Sequence, residues 1–119
     1  MGVFKEEVSY LEDLAKLQQQ IYPDSCDYGV YATQERKDRI HEILLSLPAG
    51  PDGRPAGKPV WKSDVGGMTQ RTYNSEVMWD NSDGVNIAIT YVRDRPRKKE
   101  YFAIDLKPIH LGEEYNDDY

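Results

Sequence analysis

Five basic side chains, Arg93, Arg95, Arg97, Lys98 and Lys99, crowd around one acid, Asp94, between two strand-like runs. Guanidinium forks bind carboxylate or phosphate through paired hydrogen bonds, so such a turn suits RNA, a nucleotide or an acidic protein surface. The same residues have a plainer use, because charge at strand ends and turns keeps a ribbon soluble. The acidic segment from Glu113 to Tyr119 offers a third option, docking onto this turn within the chain itself.

A second set comprises Arg71, Glu76, Arg93, Lys107 and His110. A carboxylate base and a histidine acid flanked by cations would cleave RNA by proton transfer with phosphate stabilisation. That chemistry requires Glu76, His110 and an arginine within about 3–4 Å of one reacting atom. Sequence alone assigns no catalytic residue. His41, with Asp38 and Glu42 near it, is remote in sequence from Cys26 and His110, and no pair has zinc-site spacing, so no metal is expected. Asp80-Asn81-Ser82-Asp83-Gly84 begins like a calcium loop, but Thr90 stands where its glutamate belongs, and a hairpin turn explains it. Gly66-Gly67 lacks the Lys-Ser/Thr of a phosphate loop, and no cofactor is expected.

The aromatic residues suggest contact of another kind. Nine tyrosines accompany only two phenylalanines, and tyrosine is favoured where a ring is buried while its hydroxyl stays wet. Trp61, Tyr73, Trp79, Tyr91 and Tyr101 lie on predicted strands or at their ends, where they form either core or a binding patch. Alternation places Trp79 and Tyr91 on one face.

These groups need a scaffold. The spacing of Phe4, Val8, Leu11, Leu17 and Ile21 predicts an amphipathic helix over 3–22, stopped by Pro23. Thr33 is the expected N-cap of a second helix over 34–47, with Ile40, Ile43, Leu44 and Leu47 inward and Pro48 ending it. Four prolines and three glycines make 48–59 a surface loop. Strands are expected near 60–62, at 68–79, at 85–93 and at 99–107. The predicted architecture is α+β, with two N-terminal helices packed on a three- to four-stranded antiparallel meander, one sheet face left partly wet. Residues 1–112 would form one domain and 113–119 a flexible acidic tail.

The 119-residue chain carries 21 acidic and 15 basic side chains, a net charge of −6. An excess of acid argues against bulk affinity for nucleic acid and favours basic partners. A single cysteine, no apolar start and no membrane-length apolar run suggest a soluble cytoplasmic protein. The expected function is stoichiometric protein binding, as in inhibitors such as immunity or anti-defence proteins, whose acids imitate phosphate or plug a basic site. Arg93, Arg95, Arg97, Lys98, Lys99, Trp79, Tyr91 and Tyr101 are the expected contacts. The alternative is an RNA binder or ribonuclease-like enzyme built on the basic hairpin.

Overall fold

A computed structural model describes residues 4–20 and 29–110. The order is α1 (Lys5–Leu17), β1 (Val30–Tyr31), α2 (Gln34–Ser46), β2 (Trp61–Val65), β3 (Met68–Met78), β4 (Asp83–Asp94) and β5 (Lys99–His110). The strands form one antiparallel sheet in the order β1-β5-β4-β3-β2. The α+β class and the meander are as expected, but there are five strands. The additional one, β1, is two residues long and too short to leave a periodic signal.

Local chemistry accounts for the start of α2. Thr33 Oγ1 accepts the Arg36 N–H at 3.2 Å and starts α2. α1 ends at Leu17, short of the expected 22, and the side chain of Gln18 just beyond it serves the sheet. Its amide donates to the Ile104 carbonyl at 2.9 Å and accepts the Ile104 N–H, pairing the part of β5 that β1 does not cover. Pro23, Cys26 and the acidic tail lie outside the described residues.

Alternation along the sheet separates two faces. Val77, Val85, Ile87, Ile89, Phe102 and Ile104 point toward the helices and are buried with Val8, Leu11 and Leu14 of α1 and Ile40, Ile43 and Leu44 of α2. The other face carries no helix. The 48–59 loop is tied along the edge of β3 beyond the end of β2. Pro48 O accepts the hydroxyl of buried Ser75 at 2.7 Å, and Ala49 O accepts the Glu76 N–H at 3.1 Å.

Candidate functional site

The basic turn, Arg95 to Lys98, does not project freely. It leans on the Gly66-Gly67 turn between β2 and β3, where the Arg95 N–H and guanidinium both donate to Gly67 O at 3.2 Å. The same guanidinium reaches Thr69 Oγ1 at 3.1 Å. A side chain on Gly67 would come within 3.1 Å of the Pro96 ring, so this seating needs a glycine. Asp94 is buried beneath the turn, its carboxylate accepting the Arg97 N–H and guanidinium, each at 3.2 Å. Two of the five cations therefore hold the turn together. Arg93 extends on the helix side and Lys99 on the opposite side, so the set does not form a single patch.

Tyr91 and Glu100 belong to a polar cluster on the helix side. The Tyr91 hydroxyl donates to Glu100 Oε2, and Lys37 of α2 bonds both carboxylate oxygens at 3.1 and 3.2 Å. Burial, the hydrogen bond to Glu100 and the carboxylate's charge push the Tyr91 hydroxyl up to about 12. Burial also works to raise Glu100, but the bonds from Tyr91 and Lys37 and the nearby cations outweigh it and hold the carboxyl below its ordinary value. Lys37, His41, Tyr73 and Tyr91 line a groove here between α2 and the sheet. The pairing of Tyr91 with Glu100 is legible from alternation on adjacent strands. Lys37, 63 residues away from Glu100, left no such signal.

The hydrolytic set is dispersed. Glu76 pairs with Asn86 on the helix-free face, while Arg71 lies on the helix face about 17 Å along the strand, bonded to both oxygens of Asp64 at 3.1 and 3.2 Å. His110 sits at the far end of β5, with Nδ1 3.3 Å from Asp83 Oδ1. No reacting atom can touch all three. Among the described residues no three His, Cys, Asp or Glu side chains gather as metal ligands.

The aromatics are also divided. Trp79 and Tyr91 share the helix side, as alternation predicts, but stand roughly 25 Å apart along the sheet. Tyr101 is on the other face and buried. That helix-free face nevertheless has a coherent character. Tyr31, Trp61, Val65 and Met78, four of the six large apolar side chains left exposed, all lie on it. Between them run buried Tyr101 and Val92 and a set of small and polar residues, with Thr72 and Thr90 sharing a hydroxyl contact at 3.1 Å beside Ala88 and Ala103. Its charges nearly balance, Glu76, Asp94 and Asp105 against Lys99 and Lys107. Sequence reasoning missed Tyr31 because β1 was not foreseen.

No protein-family model, curated protein or solved structure matches this chain. No helix among the described residues is long and apolar enough to cross a membrane.

Proposed function

We propose that the protein acts by stoichiometric binding of another protein, through the helix-free face of its sheet. The supporting observation is the concentration of exposed large apolar side chains on that face while the opposite face is packed. A broad aromatic-flanked surface with a low, balanced charge suits a protein partner, where rings supply contact area and small central residues admit close approach. It does not suit a polyphosphate, which needs an excess of cations. The acidic remainder of the chain steers it toward a basic partner, in the manner of an inhibitor that blocks its target by occupying it. The cations at Lys98 and Lys99 would add contacts at the rim.

The test is capture from the native host with tagged wild-type protein and with Ala103→Arg, which places a long charged chain in the middle of the face. Glu42→Ala, on the exposed side of α2, is the control. The reading requires a nuclease-resistant protein at one-to-one stoichiometry, retained by Glu42→Ala and lost with Ala103→Arg. Retention by Ala103→Arg, or recovery of RNA alone, would overturn it.

A further inference from the structure

The two edges of the sheet are finished differently. On the β1 side, Gln18 of α1 occupies the backbone of β5 at Ile104. On the other side β2 pairs only with β3 among the described residues, so its outer edge remains available. Gly66 and Gly67 both have positive φ, 66° and 78°, the conformation of a two-residue type I′ hairpin turn. Such a turn is closed by a hydrogen-bonded pair, here Val65 and Met68. By alternation Trp61, Ser63 and Val65 direct their backbone groups toward β3, and Lys62 and Asp64 direct theirs outward.

The sequence of this edge is its own complement. Trp61-Lys62-Ser63-Asp64-Val65 reads apolar, cation, serine, anion, apolar. Two antiparallel copies centred on Ser63 set Lys62 opposite Asp64 of the second copy, twice by symmetry. These are the residues with outward N–H and C=O groups, so the register makes four backbone hydrogen bonds flanked by two opposite-charge pairs. On the helix-free face the same register sets Trp61 opposite Val65 of the second copy in non-hydrogen-bonded positions, where cross-strand side chains come closest. Trp61 is 49% exposed and Val65 74% exposed in the single chain, and this contact would cover both. Asp64 already receives Arg71, yet its side chain is 60% exposed and keeps room for a second cation. A lysine on an edge strand ordinarily discourages pairing. Here the symmetric register supplies its counter-ion.

We infer that β2 is a self-association edge, joining two copies about a two-fold axis at Ser63 into one continuous ten-stranded sheet. This does not rest on the binding reading above, although it draws on Trp61 and Val65 of the same face, and the two helix-free faces would become one surface.

Sedimentation of the wild-type chain from low micromolar to near-millimolar concentration should show a monomer–dimer equilibrium. Lys62→Asp and Asp64→Lys should each weaken it by roughly tenfold or more, because like charges then face each other twice. An equimolar mixture of the two variants should associate again, since each supplies the charge the other lacks, while each stays folded by circular dichroism. A wild-type chain that remains monomeric throughout would overturn the inference, as would undiminished association of Lys62→Asp alone. Failure of the mixture to recover while wild type dimerises would place the interface elsewhere.

Discussion

Asp94 decides how the cationic turn behaves. Its carboxylate is buried and held by Arg97, so removing that side chain strips a buried charge of one donor while the Arg97 N–H remains. Arg97→Ala should cost about 1–2 kcal/mol in chemical denaturation. Lys98 differs, because it holds a positive φ of 58° and its side chain is exposed. Lys98→Gly relieves that conformation and should stabilise the protein by roughly 0.5–1 kcal/mol. An opposite ranking of these two variants would mean that the turn is not held by Asp94. At Glu100 the folded carboxyl titrates below its ordinary value, so its contribution is present above the unfolded carboxylate range and is lost as pH falls through the folded pKa. At Tyr91 the shift is upward, from 10.0 to about 12, so stability is present below pH 10.0 and is lost as pH rises toward 12. Melts across pH should show a shallower acid limb for Glu100→Gln. Tyr91→Phe should remove part of the alkaline limb.

At the scale of elements, the second helix and the β4–β5 ribbon were legible because their signals are local. Thr33 caps where a threonine before an apolar period should, and strict alternation from Val85 to Tyr91 marks a strand with one buried face. What was not legible depends on chain segments far apart in sequence. β1 exists only because Val30 and Tyr31 find Phe102 and Tyr101, and the Gln18 side chain just past α1 finds Ile104 86 residues away. The candidate contacts were readable one at a time as cations and rings, but their division between faces follows from register. Two substitutions test these long-range ties. Gln18→Ala removes both bonds to Ile104 and should cost about 1–2 kcal/mol. In Gly29→Ala a new Cβ would stand 2.0 Å from Phe102 O, so β1 must lift from β5, at a cost of about 3 kcal/mol. A melting temperature unchanged in both would show that the β1 side of the sheet contributes little.

Over the whole molecule, asymmetry is the organising fact. Both helices and nearly all of the core lie on one side of the sheet, and the other side shows water a surface flanked by Tyr31 and Trp61. Such a layout gives the sheet a core that does not depend on what covers the second face. If acidic charge steers the encounter, association with a basic partner should slow as ionic strength rises, while dissociation changes less. The two tryptophans sample the two sides, Trp61 on the helix-free face and Trp79 beside α1. Fluorine NMR of fluorotryptophan-labelled protein, with resonances assigned through Trp61→Phe, therefore reports both sides at once during titration with the captured partner. A shift of the Trp61 resonance with saturation at one equivalent, the Trp79 resonance staying in place, is the predicted result. Movement of Trp79 with Trp61 unchanged would contradict binding through the helix-free face.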